Sequence, residues 1–172
     1  ENSASRPDTS VYKFIGNSIY GNGSYPVRIS PECAGYICTG NTLTGNASGK
    51  DMIYFHTTSD IKSGSVLWRN LGVPYFLYES MIVDNNATLT IQKGVTVKMN
   101  AAAYIEVANN GSGTLIANGA NGDSIRFVAF TPGAKWGFNP TSETYSGGFW
   151  FNSATTAFSS LSYVVIEDAV SG

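Results

Sequence analysis

The chain has few side chains with which to do chemistry. Of its 172 residues, 12 are Asp or Glu, 10 are Lys or Arg, and one is His. Hydrolysis of a glycosidic bond takes two carboxyl groups, one as acid and the other as base or nucleophile. No strand-like stretch carries a D-x-D or E-x-D pair that would project both from one face. Glu167 and Asp168 are adjacent, so on a strand they point to opposite faces and read as solvated rim charge. His56 follows Ile53-Tyr54-Phe55, and the sequence places no serine, cysteine or acid to work with it. It reads as a turn or surface histidine. Cys33 and Cys38 are close enough in sequence for a small-loop disulfide in an oxidising compartment. Two cysteines and one histidine are too few soft ligands for a metal site. No metal and no cofactor is expected.

Aromatic residues offer the more plausible chemistry. Thr131 to Gly148 is a long irregular stretch carrying Trp136, Phe138 and Tyr145, and Trp150 follows it directly. Loops longer than about 12 to 15 residues are uncommon in compact domains and are often functional. Aromatic faces give sugar rings a flat apolar platform, and the polar tips of Trp and Tyr suit wet sites. If Phe149-Trp150-Phe151 is a strand, Trp150 points outward and the phenylalanines inward. Trp136, Tyr145 and Trp150 are therefore the candidate carbohydrate contacts. The competing reading is that the loop aromatics fold back to cover apolar surface.

The elements that must position these residues are short strands. Val27-Arg28-Ile29, Ile53-Tyr54-Phe55, Leu89-Thr90-Ile91, Val95-Thr96-Val97-Lys98-Met99, Ile105-Glu106-Val107 and Ile125-Arg126-Phe127 all alternate apolar and other residues, the period-two pattern of half-buried strands. No stretch shows helical periodicity with capping signals. With 19 glycines and abundant asparagine, tight turns between strands are easily made. Hairpins are one arrangement, since Asn-Gly pairs suit type I′ turns.

An internal repeat decides for a coil instead. Gly16-Asn17-Ser18-Ile19-Tyr20-Gly21-Asn22 is closely matched, 24 residues on, by Gly40-Asn41-Thr42-Leu43-Thr44-Gly45-Asn46. A period of this size marks a solenoid. Stacked coils lie about 4.8 Å apart, so Asn17 over Asn41 and Asn22 over Asn46 would form an asparagine ladder. The same offset sets Cys38 over Phe14, where a free thiol would serve as a small inward hydrophobe. Val27 and Ile53, and Ile29 and Phe55, match at an offset of 26, and Gly64, Ser65 and Leu67 read as a degenerate third copy. The expected fold is all-β: one domain over 1–172, a single-stranded right-handed parallel β-helix of roughly seven coils, with 1–10 as a flexible N-terminal tail.

From Leu67 the chain resembles a known family. Pro74-Tyr75, then Ala87-Thr88-Leu89-Thr90-Ile91-Gln92-Lys93-Gly94-Val95, Gly113-Thr114-Leu115-Ile116-Ala117-Asn118-Gly119, Ile125-Arg126-Phe127 and Gly148-Phe149-Trp150 follow one another. This order is similar to the right-handed β-helix segments of secreted bacterial cell-surface proteins with a pectin-lyase-like fold. The spacing before Gly148-Phe149-Trp150 departs from the usual one, and Met99 stands where an aromatic is common. The resemblance implies a secreted or bacterial cell-surface module. Such a module would bind polysaccharide or host glycan, or serve as an adhesion or display scaffold. The alternative it implies is a polysaccharide lyase or glycoside hydrolase. A net charge of −2 with no basic run speaks against a nucleic-acid partner. No apolar run reaches the length needed for membrane insertion. The C-terminal strand Tyr163-Val164-Val165-Ile166-Glu167 is followed by no polar cap. Self-association through an open solenoid end, or a longer chain, is therefore expected.

Overall fold

The fold is that of a computed structural model, which describes residues 13–56, 60–137, 148–153 and 158–170; the expected tail 1–10 lies outside them. The alternating segments form strands that pair in parallel. One sheet has six strands in the order β1 (Val27–Ile29), β2 (Ile53–Phe55), β4 (Tyr75–Leu77), β7 (Thr96–Met99), β10 (Ile125–Ala129) and β13 (Val164–Ile166). A second has β3 (Ser65–Trp68), β6 (Ala87–Ile91), β9 (Gly113–Asn118) and β12 (Ser160–Ser162). The third has β5 (Met81–Val83), β8 (Ile105–Val107) and β11 (Phe149–Phe151). The chain visits each sheet in turn, so this is a parallel β-solenoid. Its inward positions, among them Phe55, Leu77, Leu89, Val97, Ile105, Leu115 and Phe127, form one continuous core.

The predicted register of the first rungs holds: Val27 pairs with Ile53 and Ile29 with Phe55. The predicted coil count does not. The solenoid makes about four turns rather than seven. Coils are unequal: Ile53 pairs with Tyr75 and Tyr75 with Val97, but Val97 pairs with Phe127 and Ile125 with Val164. The later coils take more residues per turn.

The asparagine ladder forms. Asn17 Nδ2 donates to Asn41 Oδ1 at 3.0 Å, and Asn22 Nδ2 to Asn46 Oδ1 at 2.9 Å. Asn41 Nδ2 in turn donates to the carbonyls of Phe14 and Cys38. The ladder stops at two rungs, because the degenerate third copy lies elsewhere. Ser65 begins β3 and pairs with Thr88, and a 3-10 helix, Pro31–Tyr36, packs on β3. This helix, with Pro31 at its start, is too short to show a 3.6-residue period and was not expected from sequence. Beside the ladder, Phe14 bridges to Ile37 rather than to Cys38, an offset one residue shorter than the repeat. Ile37 is therefore the buried residue, while Cys38 and Cys33 are half-buried free thiols.

Asp51 closes the ladder. Its carboxylate accepts the Asn46 and Gly45 backbone N–H groups and the Asn46 side-chain amide, each at 2.9 Å. These donors, the Asn46 N–H foremost, hold the Asp51 carboxyl below its ordinary value of 3.8. A carboxyl lowered in the folded state contributes stability that is present above its unfolded value and lost as pH falls through the folded one. Acidification from about pH 5 to about pH 2 should therefore destabilise the parent more than Asp51→Asn. Parallel losses for the two proteins in urea titrations over that window would contradict the assignment.

The last described rung leaves apolar side chains exposed. Phe151, Leu161 and Ile166 are 43%, 39% and 40% exposed, whereas their register partners Val107, Ala117 and Phe127 are fully buried. Alternation points these side chains inward, and no further coil lies over them among the described residues.

Candidate functional site

Of the aromatic residues singled out from sequence, Trp136 and Trp150 do not share an exposed patch. Trp136 is fully buried. Its indole N–H donates to the Glu167 carbonyl at 2.6 Å, and the ring sits edge-on to Phe149. Gly148 makes room for it, since a Cβ there would lie 2.7 Å from the indole. Trp136 thus plugs the core, as the fold-back reading had it. Tyr145 lies outside the described residues. Trp150 is outward as predicted and 51% exposed.

What surrounds Trp150 was not visible in the linear sequence. Its register partner is Glu106 on β8, and Tyr104 meets the indole edge-on with centroids 6.2 Å apart. Glu106 is buried, and its two carboxylate oxygens are spoken for. Oε1 accepts from Asn152 Nδ2 at 2.7 Å and Oε2 from Asn109 Nδ2 at 3.0 Å. Both asparagines lie just beyond strand ends, one coil apart. Together they hold the carboxylate rigidly beside the indole.

The same outer face continues down the stack. Ile61 bridges to Val83, and Ile82 pairs with Glu106, so Asp60, Ile82, Glu106 and Trp150 share one outward column. Asp60 accepts from the Ile82 N–H and pairs with Lys62 at 2.7 Å. This hydrogen bond and charge hold the Lys62 ammonium above its ordinary 10.5. Asp84, just past β5, is buried and accepts from the Asn110 N–H at 3.1 Å. Coiling therefore brings three carboxylates from successive coils to one face. A search for pairs within a strand could not find them, because the column runs across strands. They do not converge on a point: among the described residues no three His, Cys, Asp or Glu side chains could hold a metal ion.

The remaining candidates stand apart. His56 follows β2, on a different sheet. Glu167 and Asp168 make separate ion pairs, with Arg126 at 2.8 Å and with Lys135 at 3.3 Å, all well exposed. No helix among the described residues is long and apolar enough to cross a membrane.

An exposed indole next to a carboxylate fixed by two amides suits a sugar. The ring offers an apolar face to pyranose C–H groups, and planar polar groups at its edge can hydrogen-bond hydroxyls. Comparison of the chain with protein-family profiles, with curated proteins and with solved structures finds no match.

Proposed function

We propose that this chain is a non-catalytic glycan-binding β-solenoid module of the pectin-lyase-like kind. It would work outside the cell or on a bacterial surface. The observation that carries the reading is the exposed Trp150 ring beside Glu106, whose orientation Asn109 and Asn152 fix. Low charge content and the ordered motifs from Leu67 to Glu167 support the extracellular, bacterial setting.

The test is binding to a glycan array, followed by calorimetry on the best ligand. Trp150→Ala should weaken binding at least about tenfold, within the range of an aromatic anchor. Because the side chain is half exposed, the thermal midpoint should stay unchanged. An array without ligands, or full affinity in the variant, would overturn the assignment.

A second reading has one observation in its favour: Asp60, Asp84 and Glu106 share a face, as a lyase or hydrolase would need. Against it, both Glu106 oxygens already accept amide hydrogen bonds. Incubation with a polysaccharide panel, with and without calcium, separates the two. Oligosaccharide release that disappears in Glu106→Gln would establish the enzyme.

A further inference from the structure

The outer face of the six-stranded sheet carries a second surface of different chemistry. Arg28, Tyr54, Phe76, Lys98 and Val128 lie in register on five successive strands, which spans about 19 Å at the usual strand spacing. Tyr25 stacks on Tyr54 with centroids 4.7 Å apart, and Phe130 stacks on Phe76 at 4.1 Å. Tyr78 stands edge-on to Phe76 at 6.0 Å. Between these rings runs a groove of about 400 Å³ whose walls include Tyr25, Arg28, Lys50, Tyr54, Tyr78 and Phe130.

Its cations are set on rings. The Arg28 guanidinium lies 5.5 Å from the Tyr54 centroid, and the Lys50 ammonium 4.6 Å from that of Tyr25. Lys50 Nζ also donates to the Tyr25 hydroxyl at 3.1 Å. Elsewhere Lys62, Lys93, Arg126 and Lys135 each pair with a carboxylate. Among the described residues neither Arg28 nor Lys50 has such a partner, and no acid lines the groove. Glu79 is near enough for its charge to reach Tyr54, more weakly than that of Arg28.

Flat apolar faces flanked by two cations that have no ion pair among the described residues call for an occupant with rings and negative charge. We propose that this groove binds an acidic glycan, with pyranose rings on the Tyr54, Tyr78 and Phe130 faces and a carboxylate or sulfate on Arg28 and Lys50. Aromatics with cations also serve single-stranded nucleic acid. Two wall cations on a chain of net charge −2 suit the sparser charge of a glycan better than one phosphate per nucleotide. The groove and the Trp150 face share no residue and no sheet, so either can fail alone.

The experiment is titration of the full chain with a hexuronate oligomer, a sulfated oligosaccharide, a neutral glucan oligomer and oligo-dT. At least one acidic glycan should bind at least about tenfold more tightly than the neutral one, with affinity falling as salt rises. Uronate binding alone identifies a carboxylate ligand, sulfate binding alone a sulfate, and binding of both a generic anion; all three support the proposal. Arg28→Gln with Lys50→Gln should reduce acidic binding at least about tenfold, while Lys135→Gln, an exposed cation outside the groove, leaves it intact. If the double variant does not fold, the exposed Arg28→Gln alone carries the test. Equal affinity for the neutral oligomer, tighter binding of oligo-dT, or an unaffected charge variant would overturn the proposal.

Discussion

Trp68→Ala should destabilise the protein by about 4 kcal/mol, the upper range for truncating a buried aromatic residue. Trp68 is fully buried. Its ring stacks on Tyr75 at 5.4 Å and packs on Phe55 at 4.8 Å, so two core aromatic residues lose their common partner at once. Tyr75 cannot move in to fill the gap, because its hydroxyl is tied to the Arg69 carbonyl at 2.8 Å. Burial pushes that phenol well above its ordinary value of 10.0, so ionisation would not free it at moderate pH. The indole N–H also holds the 3-10 helix through the Pro31 carbonyl at 3.1 Å. Trp68→Phe separates the two contributions. It keeps most of the apolar volume and leaves that buried carbonyl without its donor, which costs about 1 to 2 kcal/mol. Coils in a solenoid depend on their neighbours, so hydrogen exchange should rise first in Pro31–Tyr36 and the adjoining ladder. An unfolding midpoint unchanged from the parent would show that this aromatic stack does not hold the N-terminal coils.

The parts of the fold legible in sequence are those written within one strand or one repeat. Val27 and Ile29 could be set against Ile53 and Phe55 because both triplets alternate. Asn17 and Asn41 could be paired because their heptads are nearly identical. Trp150 could be turned outward because its neighbours are both phenylalanine. What could not be read depends on coil length, which no single strand encodes. One residue fewer between Phe14 and its partner moved Ile37 into the core in place of Cys38. The third heptad copy became a strand because a 3-10 helix, not a second asparagine turn, packs on it. Glu106 gained its place beside Trp150 across a 44-residue coil. The outward residues of the six-stranded sheet were visible one at a time, at the centres of Val27-Arg28-Ile29, Ile53-Tyr54-Phe55 and Val97-Lys98-Met99. Reading those centres as one column would have found the groove, and that required the register.

Gly113→Ala should cost about 3 kcal/mol, at the upper end of what overpacking a close-packed interior costs. A Cβ at Gly113 would lie 2.1 Å from the Val83 carbonyl oxygen, 3.0 Å from its carbon and 3.1 Å from the Ala108 nitrogen. All three are backbone atoms, so no rotamer change relieves the clash. The Val83 oxygen is also the acceptor of the Ala108 N–H at 2.9 Å. Room can be made only by breaking that bond or by shifting β9 from its partner Ala87 on β6. Gly23→Ala is the control: nothing lies within 4 Å of its Cβ position, and the change should stay within about 0.5 kcal/mol. The consequence reaches the candidate site. The corner between β8 and β9 that Gly113 closes carries Asn109, which holds Glu106, and Asn110, whose N–H holds Asp84. Alanine at 113 should therefore weaken glycan binding at the Trp150 face without touching a ligand, while binding in the Arg28–Lys50 groove on the other sheet stays near that of the parent. Equal losses at both faces would mean that the coils respond as one body and that the corner has no local role in positioning Glu106.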